Sequence, residues 1–580
     1  MKKTMLLLWL LWLSATAFAQ GRVVERTFLS TDRDNYIAGD FIWFSAFCLD
    51  AQRGTLSPVS AVGYVELHDG KSTVASAKVS LLDGRGAGRL ALPASLPTGN
   101  YRLVAYTSQN KAEKDYDYTG LASKTISVFN VFSNERVKDG VEVVEPEDYA
   151  KLVAERSPIR SGMTGGVMPG SDRNVMPGSD RASIALEWRG DTLVLVNRGD
   201  RPATLSLSVT HDDGILSNAN PTIADFAAAC RKVGPRRLDD AVIPEYEGEI
   251  IRGHVTGFSE EMMSNLMGKY AFISTPSEEF DVYASVIDEQ GRVEFFTGNI
   301  YGNKEYICEI EGIDPSLNCF IELESPFVGA PVDPVGRLPM SASLKDVLLA
   351  RSVAMQVERQ FTADTLLDPL PMRPGADFGD DAIEYPLDDY TRFTTMEEVF
   401  VEFVQELRAR RTRDGARDIQ VRLEDGTESR FSRARSLMMI DGVPVFDQQK
   451  IMEYDPLLVE RIVIYPHTCY IGTRSFEGIA NFVTYKHNLP GFKFGSNVRV
   501  IDYDGVSLPT AFTGAALEQA EGYPDYRQTI WWHPLLELAP RQTLVIPCKL
   551  PDYQGRFNVV AEGLSDAGTP LRAETSFTTE

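Results

Sequence analysis

The chain has 580 residues, enough for several domains rather than one. Its 58 basic residues against 82 acidic ones leave a formal charge of −24, which argues against nucleic acid, whose phosphates demand a basic face. Six cysteines are too sparse for a disulfide scaffold.

Residues 1–19 read MKKTMLLLWLLWLSATAFA, with the order of an export signal: Lys2 and Lys3, an apolar run from Met5 to Leu13, then Ala17-Phe18-Ala19 as a small-x-small cleavage site. The run is shorter than the roughly 20 apolar residues a spanning helix needs. Cleavage between Ala19 and Gln20 is expected, leaving a mature chain of charge −26. The first cysteine is Cys48, so no lipid attachment is expected at the mature N-terminus.

Residues 20–135 alternate apolar and polar with regular turns, the pattern of an antiparallel sandwich. FIWFSAFCL and GYVELHD read as strands, and Pro97 with Gly99 makes a turn before Tyr101, Leu103 and Ala105 alternate inward. The run TDRDNYIAGDFIWFSAF, then YVEL, then LLDGRGAGRLALPASLPTGNYRLVAYT resembles the second-domain type of macroglobulin module in alpha-2-macroglobulin relatives. Residues 136–183 form a linker that carries VMPGSDR twice, read as a replicated spacer with little to bury. Residues 184–245 are strand-rich (LEWRGDTLVLVN, ATLSLSVTHDD), with a short helix expected over 222–231. Residues 246–330 resemble a carboxypeptidase-regulatory-like sandwich through IIRGHVTG, DVYASVIDEQGRVEFF and the Asp288, Gly291, Phe295 spacing.

Residues 331–390 join an amphipathic helix over 343–360, capped by Ser343, to an acidic Pro-rich connector. Residues 391–490 begin with a helix whose capping box is Thr394 and Glu397 and whose apolar face is Met396, Val399, Phe400, Phe403, Val404 and Leu407. Then come LMMIDGVPVF, LLVERIVIYP and YIGTRSFEGIANFVTYK. Their order resembles the plug domain of TonB-dependent receptors, with Tyr470-Ile471-Gly472 where that family usually has Tyr-Gly. Only 94 residues follow Lys486, too few for a receptor barrel of many strands, each roughly 9–11 residues long; a plug-like module without its pore is expected. Residues 491–580 resemble a further macroglobulin-type segment through Trp532-His533-Pro534 and the series Asp552, Gly555, Phe557, Val559, Gly563.

Motifs for chemistry are absent. The macroglobulin thioester needs a G-C-G-E-Q run, and the nearest Glu-Gln, Glu518-Gln519, has no cysteine before it. The histidines show no H-x-x-x-H, and there is no C-x-x-C, G-x-S-x-G or P-loop. His211-Asp212-Asp213 reads as a turn rather than half a metal site. The acidic run Asp377, Asp380, Asp381, Glu384, Asp388 and Asp389 lacks calcium-loop spacing and reads as a solvated linker. No catalytic, cofactor-binding or metal residues are expected. Asp441-Gly442-Val443-Pro444 reads as a structural turn, and Trp531 and Trp532 face opposite sides of a strand, one buried and one available to an interface. Cys308 and Cys319 flank EGIDPSLN and are placed either to pair across a hairpin or to stand as free thiols; Cys48, Cys230, Cys469 and Cys548 read as buried small residues.

The expected fold is therefore mainly β and multidomain: immunoglobulin-like or macroglobulin-like sandwiches plus a small α+β plug-like domain, without a transmembrane barrel. The combined resemblance is to Bacteroidetes envelope proteins. It implies a non-enzymatic adaptor, periplasmic or attached to the outer membrane, that docks on an outer-membrane barrel or its lipoprotein companion. Phe446, Tyr465, Tyr470 and Arg474 are the expected contact residues, the aromatic and arginine types in which interface energy concentrates. The alternative is a non-covalent, peptidase-binding inhibitor of macroglobulin type.

Overall fold

Strands dominate the fold, and its sheets divide between two compact units, residues 1–247, 327–370 and 506–580 in one and 248–326 with 371–505 in the other. The computed structural model describes residues 23–579 apart from 119, 121–122, 157–182, 259–263, 299, 314–318, 330–332, 334, 362–366, 370–375, 377, 380, 413–414, 416, 426–427, 509 and 513–524. Ala19, Gln20, both VMPGSDR copies, Asp377, Asp380 and Glu518-Gln519 lie outside the described residues.

In the first unit, the N-terminal sandwich sets Glu25–Thr31, Phe41–Asp50, Thr55–Leu56 and Arg85–Ala91 against a five-stranded sheet. That second sheet runs Asn35–Ile37, Lys124–Phe129, Gly99–Thr107, Val62–His68, Thr73–Ser80. Alternation fills the space between them with Phe44, Ala46, Cys48, Val65, Leu67, Tyr101 and Leu103. The second sandwich corrects the sequence reading, which kept 184–245 and 491–580 apart. Strand Ala203–Asp212 lies between Thr529–Leu538 and Gly555–Ser565 in one sheet, and Thr192–Asn197 pairs with Thr543–Pro547 in the other. Each segment alone has too few strands to cover its apolar face, so the two close one core around Leu205, Leu207, Ile530, Phe557 and Val559.

Helix Ile223–Cys230 forms where expected, with Thr222 and Asp225 as its capping box. Helix Lys345–Phe361 follows a 3₁₀ turn, Ala342–Leu344, with Ser341 rather than Ser343 at the N-cap position and no side-chain capping bond from it. Its buried stripe, Leu344, Leu348, Arg351 and Met355, has helical spacing. Trp531 and Trp532 do face opposite ways, yet both are buried, 7% and 0% exposed. Trp531 joins the second sandwich core, and Trp532 stacks obliquely on Trp43 at 5.6 Å. The face expected to meet a partner is covered within the unit.

In the second unit, one sandwich pairs Arg292–Phe296, Ile250–Thr256 and Phe320–Leu323 in one sheet. The other sheet holds Val282–Val286, Tyr270–Ser274, Asn303–Ile310 and Arg499–Asp504. The last of these strands comes from the segment assigned by sequence to the C-terminal region. Cys308 and Cys319 share this sandwich's core as free, fully buried thiols. The rest of the unit is a small α+β domain with a mixed sheet ordered Ile383–Pro386, Val459–Ile471, Arg474–Thr484, Leu437–Ile440, Val443–Pro444. The connector thus contributes an edge strand. The helix expected to run through Leu407 is Met396–Glu402, capped one residue later than expected: Thr395 accepts from the Glu398 N–H. Val404 and Leu407 are still buried, but Leu407–Arg411 leaves the helix to pair with Arg417–Asp425, a tertiary pairing that overrides local periodicity.

Candidate functional site

The turn Asp441-Gly442 joins Leu437–Ile440 to Val443–Pro444 as a two-residue hairpin, with Ile440 opposite Val443. Both turn residues have positive φ, 48° and 82°, the geometry that Asp-Gly supplies. Asp441 is fully buried, and its carboxylate accepts from the Thr484 N–H and hydroxyl at 2.7 Å each and from the Leu489 N–H at 2.8 Å. All its observed partners are internal, so it ties the hairpin to the sheet. A Cβ on Gly442 would lie 2.0 Å from Phe280 Cγ, so the turn also needs glycine for space.

The strands on either side of this turn are buried on both faces. Met438, Ile440, Ile462, Ile464, Ala480 and Phe482 point into one core, with Val399, Phe400 and Val421. Leu437, Met439, Cys469, Ile471, Phe476 and Ile479 point the other way, onto Phe272, Phe280 and Val282 of the neighbouring sandwich. That is why LMMI reads as an unbroken apolar run rather than an alternation. The surface expected to meet a protein wall is filled by the chain itself.

The four expected contact residues do not converge. Phe446 is 9% exposed, 4.9 Å from Phe272 in the inner cluster, so the expectation of exposure fails there. Tyr465 is half-buried against Phe378 at 5.3 Å. Arg474 is half-buried and bidentate to Glu311 at 2.7 and 2.8 Å. Tyr470, 67% exposed near the end of the long hairpin, is alone of the four at the surface.

A surface the sequence reading passed over lies on the three-stranded sheet Leu407–Arg411, Arg417–Asp425, Glu428–Phe431. Its inner face contributes Leu407, Ile419, Val421 and Leu423 to the domain core. The register puts Arg408 opposite Gln420, Arg410 opposite Asp418 and Arg422 opposite Phe431 on the outer face. The signal was present in R-A-R and R-D-I-Q-V-R, where period-two alternation sends every other residue outward. Glu477 clamps this sheet to the long hairpin. It pairs with Arg430 at 3.1 Å and accepts from the backbone N–H groups of Arg433 and Ala434 at 2.6 and 2.9 Å. Hydrogen bonding from Arg430 and those amides lowers its carboxyl to about 2.

The first unit holds a polar chamber of about 210 Å³ beside Asp34, Lys124, Asp213, Arg351 and Glu562. Its charges close on one another. Arg351 is bidentate to Asp213, one bond at 2.8 Å, and Lys124 approaches Glu562 at 3.8 Å. Asp34 accepts from the Asn218 N–H at 2.5 Å, yet burial lifts its carboxyl to about 6. Balanced, mutually paired charges of this kind hold packed elements in register. His211 and Asp212 extend a strand here instead of forming the expected turn, because the strand Ala203–Asp212 is paired to its end with Gly555–Ser565.

No family model matches the chain, and no curated protein matches it. Among solved structures, Salmonella alpha-2-macroglobulin reacted with methylamine aligns over 97% of this chain and 40% of its own, at 8% identity and a TM-score of 0.23. Trypsin-activated alpha-2-macroglobulin from Escherichia coli aligns over 95% and 41%, at 10% identity and 0.22. Dimeric latent PorU from Porphyromonas gingivalis aligns over 96% and 34%, at 9% identity and 0.15. The chain thus spans about two fifths of the length of those macroglobulins. Likeness of this extent carries nothing about activity, ligand or partner.

Proposed function

We propose that the chain is a non-enzymatic, exported adaptor of the cell envelope, periplasmic or peripheral to the outer membrane, whose 391–490 domain docks on an outer-membrane barrel protein or its lipoprotein companion. One observation carries the reading. The domain that resembles a receptor plug is a closed body, its sheet covered on one side by its own helix and small sheet and on the other by the 248–326 sandwich. A plug sheathed in this way no longer needs a surrounding wall, and it engages a partner through what it leaves outside: the long hairpin with Tyr470 and the outer face of the arginine-bearing sheet. The internally hydrogen-bonded Asp441 and the paired interior charges at Asp213 and Glu562 fit a scaffold, since they hold strands and helices to one another.

The test is site-specific photo-crosslinking in native envelopes, with the reactive residue at Tyr470 and, as a control, at Leu82, which is 75% exposed in the first unit. An adduct to an outer-membrane barrel or lipoprotein from position 470 and none from 82 is expected. Adducts from 82 alone would move docking to the sandwiches, and a peptidase in the adduct would favour the inhibitor class instead.

A further inference from the structure

Between residues 407 and 435 the chain carries nine arginines, no lysine and five acids, a net of +4 where the remaining residues sum to −28. Its outer face is built rather than merely charged. The Arg408 guanidinium lies 3.9 Å over the Phe431 ring and donates to the Gln420 amide oxygen at 2.6 Å, while Arg422 stands 5.1 Å from the same ring. A guanidinium stacked on an aromatic face keeps its N–H edges free and its plane fixed, which suits bidentate pairing with a carboxylate. Arg410 on this face and Arg433 beside the recess at its flank are exposed and make no ion pair among the described residues. The sheet beneath is rigidly seated: a Cβ on Gly478 would lie 2.6 Å from Val421 Cβ, and Glu477 holds Arg430 and the following turn.

We infer that this face is a docking surface for an acidic polypeptide segment of the partner. The inference rests on the docking reading above and gives it a surface and a chemistry. Three features select this occupant. Arginine used to the exclusion of lysine favours directional recognition of planar oxyanions over diffuse attraction. Asp418 and Glu424 lie on the same outer face, where a plane of lipid phosphates would meet them but a peptide places its carboxylates between them. Finally, an open recess of about 400 Å³ flanks the sheet, with Arg417, Arg433 and Arg435 outnumbering Asp418 and Asp447 on its walls, giving an extended segment somewhere to continue.

The experiment uses the full chain and a fluorescent oligo-glutamate peptide, read by anisotropy at rising salt. Saturable binding is expected, with affinity falling about ten-fold or more in an Arg410→Glu, Arg433→Glu variant. Because these side chains are exposed and unpaired, an unchanged thermal midpoint shows that the variant is folded. A second variant, Arg408→Lys with Arg422→Lys, retains charge and is expected to lose several-fold in affinity by losing the fixed plane. Equal binding by the charge-reversed variant overturns the inference. So does binding of phosphatidylglycerol vesicles by the wild type in preference to the peptide, and so does a surface whose reversal changes only self-association in sedimentation. If the position-470 crosslink persists while charge reversal has no effect, docking stands and this surface is not its seat.

Discussion

At the scale of single residues, this fold relies on carboxylates whose work is internal. Asp441 illustrates it: read from the sequence as part of a structural turn, it has three internal donors and no exposure. Asp441→Ala leaves two buried backbone N–H groups without an acceptor and is expected to cost about 3 kcal/mol, measured by urea denaturation. Gly442→Ala meets Phe280 and a positive φ together and is expected to cost at least as much. Asp34 gives a pH signature. Its folded carboxyl is raised by burial from 3.8 to about 6, so the folded state holds its proton more tightly than the unfolded state does. That contribution to stability is complete below 3.8 and is lost as pH rises through 6. Asp34→Asn is expected to flatten this slope in denaturation curves taken across the window. An unchanged slope would place its source elsewhere.

At the scale of elements, the arginine-bearing sheet and the long hairpin behave as one piece through Glu477 and Gly478. Gly478→Ala, whose new methyl would collide with Val421, is expected to lower stability by roughly 2–4 kcal/mol and to speed amide exchange in Arg417–Asp425 before it does so in Leu437–Ile440. Glu477→Gln should weaken the same contact above about pH 2 and become equivalent to wild type below it, where the native carboxylate is protonated. Much of this was legible in the chain. The unbroken apolar LMMI suits a strand covered on both faces, Asp441-Gly442 reads as the structural turn it forms, and the short helix expected over 222–231 is Ile223–Cys230. The long-range decisions were not. Leu407–Arg411 follows a helical pattern closely enough to pass as the helix's last turn, and only its pairing with Arg417–Asp425 decides otherwise. Phe446 looked like an interface aromatic because nothing local reveals that Phe272, some 170 residues earlier, covers it.

At the scale of the whole molecule, chain order and spatial order diverge most in the first unit. The N-terminal sandwich meets the second through Trp43 on Trp532, Phe28 on Phe226 at 5.3 Å, and the Ser30 hydroxyl donating to Glu562 at 2.7 Å. Proteolysis is expected to cut first within 157–182, and the two fragments should then co-elute on size exclusion until denaturant is added; separation in native buffer would show that these contacts are too weak to unite them. The strand Ala203–Asp212 has a further consequence, in time rather than in space. Both its neighbours come from beyond residue 528, so it leaves the ribosome long before either exists. Thr529 is 317 residues past Asp212, on the order of tens of seconds at ordinary elongation rates. For that interval LSLSVT is an apolar strand with two open edges, the kind of segment that recruits the wrong partner. A chain built this way gains by being kept unfolded until its last strand has been made.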